Sequence, residues 1–179
     1  MRTQLVTGAL AVVATSALVG LGASTAGAQT PDPSAAGTTH EVGTVIECAG
    51  FAGKVPVRVN FYENETYGNT LEVLVHDGTR REAGRTVETK KPFVVGEDVL
   101  ARTRVAGKKI RFHGTTEPTG KVKRIRDVRD DGGLHIVARG THTILDPKIV
   151  ATYAGTAGKL TCDNAFHFNL EVTKTPVDN

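Results

Sequence analysis

The sequence predicts an all-β domain, an antiparallel meander of about eight or nine strands. Three observations predict it. Apolar and polar residues alternate in segment after segment, turn motifs of Gly, Asp and Pro separate the segments, and no window carries a convincing helical stripe. Side chains of a strand point alternately to the two faces of its sheet, so each segment has one dry side and one wet side.

Val55, Val57, Val59 and Phe61 share a side, with Arg58, Asn60 and Tyr62 on the other. Leu71, Val73 and Val75 alternate with Thr70, Glu72 and His76. The best helical stretch, Thr79 to Lys91, is broken by Gly84 and stopped by Pro92. Val99, Ala101, Thr103 and Val105 alternate with Arg102 and Arg104, and Ile110 and Phe112 with Lys109, Arg111 and His113. Leu134, Ile136 and Ala138 alternate with His135 and Arg139, and Phe166, Phe168, Leu170 and Val172 with His167, Asn169 and Glu171. Asp77-Gly78 reads as a tight hairpin turn. Ala106-Gly107, Pro118-Thr119-Gly120, Asp130 to Gly133, Asp146-Pro147 and Gly155 to Gly158 read as the other connections.

A sheet with one dry face must close into a barrel or fold over as a sandwich. Cys48 falls on the first strand and Cys162 at the start of the last. The first and last strands of an up-and-down barrel are neighbours, so a disulfide between these residues favours a closed small β-barrel over a β-sandwich. An immunoglobulin domain is disfavoured, because the chain has no Trp to sit between its cysteines.

Residues 1–28 read as a secretory signal peptide: Arg2, an apolar stretch over residues 5–23, and an A-x-A cleavage site at Ala26-Gly27-Ala28. Residues 29–40 read as a disordered linker, 41–175 as a single all-β domain and 176–179 as a tail. No Cys directly follows the apolar stretch and no second run has membrane-spanning length. The expectation is a protein secreted after cleavage near Ala28, not membrane-anchored, with Cys48 and Cys162 joined in an oxidising compartment.

The formal net charge of +3 hides an asymmetry. Residues 30–79 carry a net −5, residues 80–129 a net +9 and residues 130–179 a net −2. Arg102 and Arg104 share a wet face, as do Lys109 and Arg111 on the next strand, and Lys123, Arg124 and Arg126 follow on a segment of poor alternation. Clustered Arg and Lys focus potential and attract polyanions. These seven residues are the candidate anion site, and anionic cell-wall or other extracellular polymers the candidate partners. The competing reading is a solvated face with an edge strand guarded against aggregation. No interleaved aromatics mark a platform for single-stranded nucleic acid, so no specific nucleic-acid partner is expected.

Other chemistries find little support. No serine follows Ser34, which excludes a serine hydrolase on the folded region. The histidines form neither H-x-H nor H-E-x-x-H, and the odd spacing of His135 and His142 puts them on opposite faces of a regular strand, so no metal site is expected. Asp127-x-Arg129-x-Asp131-Gly132 fails as a calcium loop, with Arg at the third ligand and Ala138 at the closing Glu. Gly155 to Lys159 fails as a phosphate loop, with Tyr153 at the first glycine and Leu160 after the Lys. No cofactor is implied. Asn64-Glu65-Thr66 matches a glycosylation sequon. Two alternatives to an anion binder stay open. One is a small barrel carrying an apolar ligand within. The other is a hydrolase or lyase using carboxylates drawn from Glu63, Glu65, Glu72, Asp146 and Glu171, with His76 beside Glu72. Sequence alone places no two of these acids together, and leaves enzymatic activity an open question that leans against.

Overall fold

The computed structural model describes residues 36–76, 78 and 82–177. The signal-like segment 1–28 lies outside them, as do residues 29–35 of the expected linker, Asp77 and residues 178–179 of the tail. Nine strands form one antiparallel sheet: β1 (Gly37–Ala52), β2 (Val55–Asn64), β3 (Gly68–Val75), β4 (Ala83–Thr89), β5 (Val94–Val95), β6 (Asp98–Val105), β7 (Lys108–Asp131), β8 (Leu134–Tyr153) and β9 (Thr156–Pro176). Residues 37–40, read from sequence as linker, are therefore strand and pair with Glu171–Lys174 of β9. The best helical stretch, Thr79 to Lys91, carries not a helix but strand β4.

The strand order is β4-β3-β2-β1-β9-β8-β7-β6-β5. The first and last strands are neighbours, as the sequence suggests, and Cys48 sits directly opposite Cys162 and is bonded to it. The barrel nevertheless does not close. The sheet ends at β4 on one side and β5 on the other, and no ladder joins them, leaving a curled half-barrel. The reason is local. The segment that would complete the seam contains Pro92, which has no N–H, and the N–H groups of Phe93 and Val94 both donate to the Glu63 carboxylate. Those two donors are therefore not free to pair with β4.

Two expected turns are absent. Pro118-Thr119-Gly120 and Asp146-Pro147 lie inside the long strands β7 and β8, where the ladder registers slip between Pro118 and Val122 and between Ile144 and Val150. The connection carrying Gly78 runs from residue 76 to 82, longer than a two-residue turn. Five connections are two-residue hairpins: Ala106-Gly107 (49° and 76°), Gly132-Gly133 (57° and 78°) and Ala154-Gly155 (50° and 88°) have positive φ at both central positions, and Gly53-Lys54 and Gly96-Glu97 at the glycine alone (65° and 64°). This is the turn geometry whose twist matches that of paired strands.

The concave face is filled. Phe61 and Phe112 are 0% exposed, their ring centroids 5.7 Å apart, and Phe93 packs edge-on to Phe61 at 6.0 Å. Ile46, Leu71, Val73, Val99, Ile110 and Ile149 close around them. Along β8 the dry positions change side, from the even residues Ile136 and Ala138 to the odd residues Ile149, Ala151 and Tyr153. Ile136, Phe168 and Val172 are buried but stand apart from the concave core. The far ends of β7, β8, β9 and β1 thus carry their apolar side on the opposite face of the sheet.

Candidate functional site

The alternation of β6 and β7 puts Val99, Ala101, Ile110 and Phe112 into the core and turns Arg102, Arg104, Lys109 and Arg111 outward. The antiparallel register then sets Arg102 directly opposite Arg111, and Arg104 opposite Lys109. Two like-charge pairs lie side by side. Arg85, on edge strand β4 across the open seam, lines the same cleft, which has a volume of about 640 Å³ and is completed by Thr103 and Ile110. All five cations are exposed, and among the described residues none has a carboxylate within ion-pair distance. Among the described residues its lining holds no carboxylate and no histidine.

Four of the seven basic residues singled out from sequence therefore converge. The other three do not join them. Lys123, Arg124 and Arg126 lie a dozen or more residues further along β7, roughly 40–50 Å of strand. Lys123 pairs with His142 of β8, Arg124 with Thr141 and Arg126 with Arg139. By strand alternation Lys123 faces the same side as His142, while Arg124 and Arg126 face the other. Arg85 was not singled out, because strand alternation does not show that the curl of the sheet brings β4 close to β6.

The carboxylates behave differently. Glu63, Thr44 and His167 form one row across β2, β1 and β9. The Thr44 hydroxyl and His167 Nδ1 are 3.4 Å apart. Burial raises the pKa of Glu63, and the amides of Val94 and Phe93 and then nearby His167 pull it back. Glu65 lines the same cavity of about 500 Å³. The Glu63 Oε1 atom, however, is engaged by the two backbone amides, so its evident work is to hold the β4–β5 connection. Glu72 on β3 and Glu171 on β9 are separated by β2 and β1, and His76 follows β3; the three do not meet. Asp146 pairs with Lys148 at 3.8 Å. His135 bonds Asp130 at 2.7 Å, and His142 stacks on Phe166 at 3.9 Å on the other face. Burial, then the charge of Lys123, lowers the pKa of His142.

Fold and site together define an open all-β half-barrel with a cationic cleft at its seam. Searches of protein-family models, curated proteins and solved structures find no match to this chain.

Proposed function

We propose that this chain is an exported, non-enzymatic β-domain that binds anionic extracellular polymers through the cleft of Arg85, Arg102, Arg104, Lys109 and Arg111. One observation carries the reading. Two cross-strand like-charge pairs stand next to each other with no acid to neutralise them. Like charges directly opposite in a sheet are destabilising. A bound polyanion supplies the missing counter-charge, and a cleft between low-dielectric walls concentrates it. The signal-like segment 1–28 supports export. The Cys48–Cys162 disulfide is compatible with it, and among the described residues no helix is long and apolar enough to cross a membrane. Lys123, Arg124 and Arg126 serve as peripheral charge, not as part of the cleft.

The test is charge reversal to Glu at Arg102, Arg104, Lys109 and Arg111, with linear polyphosphate as probe. All four side chains are exposed, so the fold should tolerate the change. The wild-type protein should bind with an affinity that falls steeply with added salt, and the variant should lose both the affinity and its salt dependence. Unchanged binding and unchanged salt dependence would overturn the proposal.

A further inference from the structure

The outer edge of β7 is open along its far half. β6 pairs with β7 only as far as Thr115, and the last bond on that side runs from the Thr116 amide to the Glu97 carbonyl. From Val122 to Asp131 the strand is regular and, among the described residues, paired to β8 alone. These ten residues span roughly 30 Å. Every second one turns its N–H and C=O outward, which makes a template for another strand.

Charges of one sign along such an edge keep copies of a chain apart. Here the sign changes halfway. Lys121, Lys123, Arg124 and Arg126 are followed by Asp127, Arg129, Asp130 and Asp131. All eight are exposed. Asp127 and Asp130 have bonds within the hairpin, to Arg129 and His135. Lys123, Arg124, Arg126 and Asp131 have no ion-pair partner among the described residues. Val122 and Val128, on the same edge, are 59% and 48% exposed.

An antiparallel partner for this edge must be acidic opposite its basic half and basic opposite its acidic half. The same segment of a second copy, turned about a two-fold axis, has that pattern. With the axis at Asp127, the ladder joins Lys123–Asp131 to itself. Lys123 then stands opposite Asp131 of the second copy and Arg124 opposite Asp130, twice over by symmetry. Opposite charges set directly across a ladder stabilise it. The two Asp127 carboxylates meet at the axis, flanked by both Arg129 side chains. Arg126 lies opposite Val128 of the second copy and can lay its aliphatic stem over it. The β6 strand of each copy stops short of this ladder.

We infer that the free edge of β7, from Lys123 to Asp131, is where two copies of this chain pair antiparallel into one continuous sheet. None of these residues belongs to the basic cleft, so the inference does not rest on it.

Sedimentation velocity on the full chain with its disulfide intact tests it. The wild type should pass from monomer to dimer as concentration rises. Lys123→Glu with Arg124→Glu makes the whole pairing acidic at those positions, and Asp130→Lys with Asp131→Lys makes it basic. Each double variant alone should dimerise at least about tenfold more weakly, since four attractive pairs become repulsive. Mixed in equal amounts, the two variants should form a heterodimer about as tightly as the wild type pairs with itself, because every reversed residue then faces a reversed partner. A wild type that stays monomeric up to about 1 mM would overturn the inference, leaving the edge to solvent or to a foreign strand. A dimer that either double variant leaves intact would overturn it by placing the interface elsewhere. Two monomeric variants that stay monomeric when mixed would overturn it by denying the antiparallel register.

Discussion

Neutralising the cleft should make the unliganded protein more stable and the liganded protein less so. The perturbation is the double variant Arg102→Gln and Lys109→Gln, which removes one cation from each of the two opposed pairs. A directly opposed like-charge pair costs roughly 0.2–1 kcal/mol, so relieving two should add about 0.4–2 kcal/mol. For a domain of this size each kcal/mol moves Tm by about 2–4 °C, giving a rise of roughly 1–8 °C. The groups are exposed, and the Debye length shrinks from about 30 Å at 0.01 M salt to about 3 Å at 1 M. The gain should therefore be largest at low salt and nearly vanish at high salt. Polyphosphate at a hundred times its Kd should stabilise the wild type by about 2.7 kcal/mol and the variant far less. The assay is calorimetric melting across a salt series, with and without polyphosphate. A variant less stable than wild type at low salt would refute the reasoning, because the pairs would then not be repelling. Equal stabilisation of both proteins by polyphosphate would refute it too, by placing the anion elsewhere.

Other consequences follow from the same geometry. Glu63 has a raised pKa in the folded state, so the fold holds its proton more tightly than the unfolded chain does; its contribution favours folding in acid and is lost as pH rises from the ordinary value near 4.5 through the raised one. Glu63→Gln keeps an oxygen for the Phe93 and Val94 amides, so its stability should gain on the wild type as pH rises across that window, and parallel urea-melt stabilities from pH 4 to 8 would contradict this. The Cys48–Cys162 bond joins residues 114 positions apart, and Cys48→Ala with Cys162→Ala should cost about 5 kcal/mol in the chain-entropy model, read as a fall in the urea midpoint; a loss below about 1 kcal/mol would show the ends already held by the β1–β9 ladder. Gly43→Ala would push a Cβ into the Glu63 carbonyl and the Phe168 ring, and should destabilise by about 1–3 kcal/mol in the same assay, against no change if β1 and β2 can part without loss.

What could be read from the sequence, and what could not, divides along physical lines. The strands of β2, β3, β6 and the first part of β7 were legible because each buries one face, so a period of two shows directly in Val55 to Phe61 or Val99 to Val105. The pairing of Cys48 with Cys162 was legible because the signal-like segment 1–28 raised the expectation of an oxidising compartment, where two cysteines join. The Pro118 and Asp146-Pro147 motifs misled because turn chemistry is local. The same residues that start a hairpin also interrupt a ladder, and only the partner strand decides which. Closure was not legible for a related reason. It depends on where the amides of Phe93 and Val94 go, and they go to a carboxylate 30 positions away in the chain.

The cleft and the second apolar face of the sheet repeat this division. Alternation showed that Arg102, Arg104, Lys109 and Arg111 were outward but not that they were opposite one another; the hairpin at Ala106-Gly107 sets that register. Arg85 joins them because the curl of the sheet brings edge strand β4 near β6, an approach that alternation cannot show. The second apolar face was hidden more deeply. Alternation marks a dry side for each stretch of strand, but it does not say that the dry side of Ile136 and Ala138 and the dry side of Ala151 and Tyr153 are opposite faces of one sheet. In β9 the change of side passes through the β-bulge beside the disulfide: Leu160 and Cys162 face the core, then Ala165, and the even positions from Phe166 onward face the opposite side of the sheet. The disulfide thus does more than join the first strand to the last. It stands at the bulge where β9 turns from serving the core to serving the second apolar face. Its loss should therefore loosen that face together with the fold, whereas the cleft, set by the β6–β7 hairpin, should depend on it less.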